Sequence, residues 1–294
     1  MTKQEQVVDA FQQDPTRSYS SLAKQYNMPR SRVRNVLRAA GLYEQRSYSR
    51  EPIHKELFLC DLHVPYQDEQ ALNVALDYGK SYQPDIVYLG GDIEDFYAIS
   101  SWKHDPYRIT LSDEVEAVKE TLCRIRSTFP KATIYYSSSN HGDRLTSYMY
   151  QKSPELSCLR ALHPISLYSL DRLDIEYINT LDYWTKNDHP FNLHGLIHLH
   201  GHEVRTRSYV YATRRMLQEV MADTIFGHFH YTDTSVRKTA FGTPVGAWSV
   251  GCLCRLTVEF APVNQWNHGF ATVAYYGDDD YLVNNYRIIG TRIY

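Results

Sequence analysis

Aspartate, histidine and asparagine recur in this chain in short groups that suit divalent cations. The groups are Asp61-Leu62-His63, Gly91-Asp92 with Asp95 one turn on, Asn140-His141, His200-Gly201 and Gly227-His228-Phe229-His230. A carboxylate and an imidazole two residues apart offer one hard and one borderline donor to a single ion. Asp92 follows Gly90-Gly91, where backbone turns sharply and a cation can approach closely, and its two oxygens suit it to bridge two ions. Asn140 supplies a neutral carbonyl oxygen, while His141 beside it can point away from the ions toward a departing oxygen. His228 and His230, two apart in an extended segment, face the same way and turn Phe229 to the core.

Such groups work only if the fold brings them together. Each follows a short apolar run of β character, at 56–60, 86–89, 132–136, 196–199 and 224–226, so each sits where a strand ends and a loop begins. Any one of them alone reads as an ordinary polar loop; their order, each after a strand, makes the set informative. Neighbouring residues need separate readings. Asp95 is either an acid favouring a helix dipole or the partner that orients a nearby histidine, and Glu94 is expected to face solvent. Arg144, after Asn140-His141, reads as a phosphate clamp or as an ordinary helix-start cation. Of His198 and His202, which flank His200, one should pack in the core and the other lie behind a ligand or face substrate. Near the end, 272–276 and 281–286 joined by Gly277-Asp278-Asp279-Asp280 form a hairpin pattern.

At 294 residues and 43% hydrophobic composition, the chain can fill one large α/β domain plus a small module. No stretch approaches the roughly 20 apolar residues of a membrane span, and residues 1–14 lack a signal-like apolar region. Five cysteines, at 60, 123, 158, 252 and 254, form no C-x-x-C pair and suggest no disulfide framework. A reducing cytoplasm with no membrane partner is the expectation.

Charge divides the chain near residue 50. Residues 1–50 hold nine Lys/Arg against four acids, an excess of five positive charges; since the whole chain is −3, the remainder carries −8. A basic module with an anionic partner is implied. Residues 1–44 read as three helices, with apolar faces at Val7, Val8 and Phe11, at Leu22, Ala23 and Tyr26, and at Val33, Val36 and Leu37. Ser18 or Ser20 is placed to cap the second, and Asn27-Met28-Pro29 supplies the turn into the third. This stretch resembles a helix-turn-helix, with Asn27 in place of the usual glycine. Arg30, Arg32, Arg34, Asn35 and Arg38 lie off the apolar face of the third helix, where they could reach phosphates and base edges of DNA. The competing reading is a solvated basic face that docks a protein. Residues 45–52 read as a polar linker to a catalytic-sized domain at 53–294.

Taken in order, D-x-H, G-D-x-x-D, N-H, H-G and G-H-x-H resemble the calcineurin-like metallophosphoesterase superfamily over about residues 53–290. Ser139 stands where that family usually has glycine before Asn-His. The resemblance implies an α/β fold, a β-sandwich of two mixed sheets flanked by helices with the site in loops along one edge, here preceded by a small all-α module. It implies that Asp61, His63, Asp92 and His230 hold one metal and Asp92, Asn140, His200 and His228 the other. His141 would then be the general acid and Asp95 its orienting partner. Mixed oxygen and nitrogen ligands suit Mn, with Fe, Zn or Ni as alternatives.

Three functions fit these readings. One is a phosphodiesterase or nuclease acting on DNA, an arrangement that resembles what a phage or mobile element encodes. Another is a phosphomonoesterase or small-nucleotide phosphodiesterase whose N-terminal bundle binds a protein. The third is a non-catalytic DNA-binding regulator. Tyr148, Tyr150, Tyr209 and Tyr211 are open to packing or base-stacking roles.

Overall fold

Alternation of apolar side chains along one central strand sets the layering of the main body. The computed structural model describes residues 1–15, 17, 19–42, 51–101, 105, 107–187, 189–204, 211–238, 240, 242, 244–258 and 262–294. Strand β1 (His54–Leu59) turns Leu57 and Leu59 to one side and Phe58 to the other, and the two sets enter different cores. Strand β2 (Ile86–Leu89) repeats this with Val87 and Leu89 against Tyr88.

On the first side lie the helices α4 (Glu69–Tyr82) and α5 (Leu111–Thr128). Their residues Leu72, Leu76, Val118, Leu122 and Ile125 share a core with Leu57, Leu59, Val87 and Ile134. Asp68 caps α4 by accepting from Ala71 N, and Thr110 caps α5 by accepting from Asp113 N. The other side faces a second sheet. There Phe58, Tyr88, Ala271 and Val273 pack with Ile225 and Val250 as the filling of a sandwich.

Between α5 and the second sheet run β3 (Thr133–Ser137), α6 (Asp143–Lys152), α7 (Pro164–Leu167), β4 (Ile175–Ile178) and α8 (Thr180–Asn187). The second sheet is built from β5 (Asn192–Leu193), β6 (Leu196–Leu199), β7 (Thr224–Phe226), β8 (Asp233–Lys238) and β9 (Pro244–Ser249), with α9 (Ala212–Val220) on its outer face. The chain returns to the first sheet through β10 (His268–Gly277), β11 (Asp280–Ile289) and β12 (Arg292–Ile293).

Both sheets are mixed. The seven-stranded sheet runs β12-β11-β10-β1-β2-β3-β4, with β1 to β4 parallel and β10 antiparallel to β1. The five-stranded sheet runs β5-β6-β7-β9-β8, parallel from β6 through β9 and antiparallel at its edges. The α/β sandwich flanked by helices is the architecture the motifs imply. The β10–β11 hairpin is longer than the alternation at 272–286 suggests: pairing runs out to His268 opposite Ile288, and Phe270, Ala271 and Ile288 in this extension are buried.

Three helices form the N-terminal module: α1 (Lys3–Gln13), α2 (Tyr19–Tyr26) and α3 (Arg30–Ala39). Val7, Ala10, Leu22, Val33 and Leu37 are its buried core. A capping box joins Thr2 and Glu5 at the start of α1. Asn27 takes φ +47°, the left-handed turn conformation its position requires. Of the two capping candidates, Ser18 lies outside the described residues, and Ser20 falls within α2 rather than before it. Apart from Glu51 and Pro52, the linker also lies outside them. No described helix is long and apolar enough to cross a membrane.

Candidate metal centre

The C-terminal ends of β1, β2 and β3 from one sheet meet those of β6 and β7 from the other. Past their last ladder residues, β1 and β2 remain zipped together: Gly90 N donates to Leu59 O at 2.7 Å, Asp61 N to Gly91 O at 3.1 Å and His63 N to Asp92 O at 2.9 Å. Gly227 N donates to His200 O at 2.8 Å and joins the β6 and β7 ends in the same way. Asp61 then crosses between sheets, since its Oδ1 and Oδ2 each lie 3.0 Å from His228 N.

Such turning is demanding on the backbone. Asp61, His63, Asp92, His228 and His230 have φ of +53°, +48°, +48°, +70° and +60°. Residues other than glycine in this region each carry about 1–3 kcal/mol of strain, held by the surrounding hydrogen bonds. Two glycines are needed for close approach: a Cβ on Gly91 would meet His200 Nδ1 at 2.4 Å, and one on Gly227 would meet Asp61 Oδ2 at 2.5 Å.

These turns gather the donor atoms into one buried cluster. His63 Nε2 is 3.1 Å from His230 Nε2 and 3.6 Å from Asp92 Oδ2, and His230 Nε2 is 3.3 Å from Asp61 Oδ1. Asp61, His63, Asp92 and His230 thus present four donors within 4.8 Å of one another, enough to hold one cation. Asp92, His200 and His228 form a second such group, which Asp92 shares with the first. His200 Nε2 approaches Asp92 Oδ2 at 3.2 Å without hydrogen-bond geometry, and His200 Nε2 and Asn140 Oδ1 are both buried with no hydrogen-bond partner among the described residues. Orphaned buried donor atoms beside a bridging carboxylate fit a pair of divalent cations.

Charge couples the members of the cluster to one another. Although burial pulls His200 down, the Asp92 carboxylate pushes its pKa up to about 10. His230 is likewise pushed up to about 9 by Asp61 against burial. In His228, burial and the charge of His200 act together and lower the pKa to about 3. Burial opposes ionisation of Asp92, yet His141 and His200 outweigh it and hold this carboxyl well below the usual range.

His141 is oriented from behind. Its Nδ1 lies 2.9 Å from the Asp95 carbonyl oxygen and 3.1 Å from Asp95 Oδ1, while its Nε2 is 3.9 Å from Asp92 Oδ2. Burial lowers its pKa, but Asp92 and Asp95 more than offset this and raise it. Arg144 adjoins the same group, with Nη1 donating to Asp95 O at 2.7 Å and Nη2 3.0 Å from His141 Nε2. The turn at Ser139 is held closed, because its Oγ accepts from Gly142 N at 3.1 Å and its carbonyl from Asp143 N at 2.9 Å.

Some residues stand elsewhere than the sequence suggests. Glu94 is buried rather than solvent-facing: it accepts from the Tyr136 hydroxyl, and burial pushes its pKa up to about 7. The strand-to-helix pattern gave it an outward position, but the loop after Asp92 turns it inward beneath Gly142. His198 is the core histidine, fully buried with Nε2 2.9 Å from Glu56 Oε1, whereas His202 is partly exposed with its ring 5.4 Å from His200. Tyr148, Tyr150 and Tyr211 are exposed, and Tyr209 lies outside the described residues.

Three neighbours of the cluster escaped the sequence reading. Glu203 accepts from His200 N at 3.2 Å and Gly201 N at 2.7 Å. Trp266 sets its ring 4.2 Å from that of His230, and Cys254 Sγ lies 3.8 Å from His230 Nδ1. Only Cys254 left a trace, as the second cysteine of the C-x-C that follows the apolar strand β9.

On the N-terminal module Arg32 and Arg38 are exposed, and Arg34 and Asn35 are half-buried. Arg34 Nη2 lies 3.9 Å from Asp279 Oδ2 in the β10–β11 turn. The Arg30 side chain lies outside the described residues.

The chain matches no family profile and no curated protein. Its fold is similar to several solved structures. A single-mutant form of Vps29 from Entamoeba histolytica is 11% identical, with 82% of this chain and 96% of that chain covered at a TM-score of 0.43. A dimetal phosphatase from Danio rerio is 13% identical, with 79% and 99% covered at a TM-score of 0.42. YfcE, a phosphoesterase from E. coli, is 12% identical, with 74% and 87% covered at a TM-score of 0.32.

Proposed function

We propose that this chain is a two-metal phosphoester hydrolase that cleaves phosphodiesters in DNA, with its N-terminal module as the DNA-holding element. The observation that carries the hydrolase reading is the shared Asp92 between two donor groups, with Asn140 Oδ1 and His200 Nε2 buried and unpartnered beside it. Asp61, His63, Asp92 and His230 would hold one cation and Asp92, Asn140, His200 and His228 the other. Manganese is the first candidate, followed by iron, zinc or nickel.

Bound there, the two cations would supply a water of lowered pKa and neutralise phosphoryl charge. Asp92 and Asp95 raise the pKa of His141, which favours its acid form, and Asp95 fixes the ring through Nδ1. Its Nε2 is then the atom placed to protonate a leaving alkoxide. Arg144 steadies the Asp95 carbonyl and stands beside that Nε2, which suits a second duty on the phosphate.

The DNA assignment rests on the excess of five positive charges in residues 1–50, on exposed Arg32 and Arg38, and on the left-handed Asn27 turn that precedes α3. A second reading, in which the substrate is small and the bundle docks elsewhere, is favoured by the approach of Arg34 to Asp279, which occupies part of the same face.

The deciding assay presents Mn²⁺-loaded protein with single- and double-stranded DNA, a chromogenic diester and a chromogenic monoester. DNA cleavage together with diester turnover is expected. Turnover of the monoester with DNA left intact would remove the nuclease reading, and inertness toward all four would leave a non-catalytic DNA-binding regulator.

A further inference from the structure

The Nδ1 atoms of three histidines in the cluster have partners of different chemistry. His63 Nδ1 meets the Asp95 carboxylate at 2.9 Å and His200 Nδ1 meets the Gly90 carbonyl at 2.9 Å. His230 Nδ1 instead meets a thiol, Cys254 Sγ, at 3.8 Å. Cys254 is 4% exposed, and its segment is fixed in place by Leu253 N donating to Asp61 O at 3.1 Å and by Arg255 N donating to Tyr66 O at 2.9 Å. The sulfur therefore cannot drift away from the imidazole.

The two nitrogens of His230 face different neighbours. Nε2 points to His63 Nε2 and Asp61 Oδ1, at 3.1 and 3.3 Å, where the donors converge. Nδ1 lies on the other side of the ring, toward the sulfur. We propose that Cys254 is a positioning residue of the metal centre: its sulfur accepts the Nδ1 hydrogen of His230 and so keeps Nε2 bare for the cation shared with Asp61, His63 and Asp92. This inference rests on the metal-centre reading above and adds a residue that neither motif nor spacing assigns.

Its chemistry makes the two halves of the site unequal. A carboxylate behind an imidazole raises the basicity of the metal-facing nitrogen, and a carbonyl does so less. Sulfur is a weaker acceptor than either. His230 is thus the least strongly backed of the three histidines.

The test uses the full chain, stripped with chelator and titrated with Mn²⁺ while free Mn²⁺ is followed by electron paramagnetic resonance. Wild type is expected to take up two ions. Cys254→Ala should weaken the binding of one of them by about 10–100-fold, and Cys254→Ser, whose hydroxyl still accepts, should recover most of that loss. Equal thermal unfolding of the three proteins in chelator separates positioning from a general packing defect. Unchanged Mn²⁺ affinity in Cys254→Ala overturns the role of Cys254 alone. A sulfur-to-cobalt charge-transfer band in Co²⁺-loaded wild type that vanishes in Cys254→Ser also overturns it, since the sulfur would then be a direct ligand. A wild type that takes up no metal overturns the metal-centre reading itself.

Discussion

Asp95 Oδ1 lies 2.9 Å from His63 Nδ1, so a residue read as the partner of His141 also stands behind an imidazole of the proposed metal centre. His141 has a second anchor in the Asp95 carbonyl oxygen at 2.9 Å, which any residue at 95 would supply. The carboxylate therefore stands behind a histidine of the proposed metal centre as well as behind the proposed acid.

Asp95→Ala should accordingly weaken metal binding about 10–100-fold while leaving His141 in place. Calorimetric titration with Mn²⁺ measures the first effect. Turnover at saturating metal measures the second, and it should recover to within about tenfold of wild type, well short of the 10²–10⁴-fold loss expected for a missing general acid.

His141→Ala should show the opposite pattern. Metal binding stays, and hydrolysis of a diester with a poor leaving group slows by about 10²–10⁴-fold. A diester with a nitrophenolate leaving group, which needs little protonation, should be much less affected. Equal losses on the two substrates would remove the acid role from His141.

Metal uptake should release protons. The pKa values of His200 and His230, at about 10 and about 9, leave both protonated at neutral pH, and each must lose its proton before ligating. Loading at pH 7.5 is expected to release about two protons, and apparent affinity should rise with pH through the raised pKa of His230 until His200 also deprotonates near its own. Titration calorimetry in buffers of different ionisation enthalpy counts those protons.

Glu94 carries a penalty on alkaline stability. Its folded pKa of about 7 is raised above that of the unfolded chain, so the unfolded state binds fewer protons between the two and stability falls as pH rises through that window. Glu94→Gln keeps an acceptor for Tyr136 and removes the charge. The variant should gain up to about 3 kcal/mol over wild type at pH 8 and nothing at pH 4, as read by urea unfolding at the two values.

Replacing Arg30, Arg32 and Arg34 together with Ala should weaken DNA binding and flatten its dependence on salt, by about one unit of slope for each lost phosphate contact. Hydrolysis of a small chromogenic diester should not change. DNA affinity equal to wild type would favour the protein-docking alternative for this module.

The strand ends were legible in the sequence because each carries a dense local signal. Val87, Tyr88 and Leu89 are apolar on both faces, as a strand between two cores must be, and Gly90-Gly91 marks where it stops. The seven proposed ligand positions follow from that punctuation. What sequence could not supply was packing across elements: Cys254, Trp266 and Glu203 reach the site from loops whose residue types carry no periodic signal. Glu94 was misplaced for a related reason, since burial of a carboxylate depends on a partner, Tyr136, 42 residues away.

The left-handed backbone at Asp61, His63, Asp92, His228 and His230 also bears on how the ions arrive. Those five conformations belong to the folded backbone, so the ordering entropy of the site is spent in folding and would not fall on ion capture. A cation bound there would meet a preformed receptor, and ionic radius would become a criterion of selection.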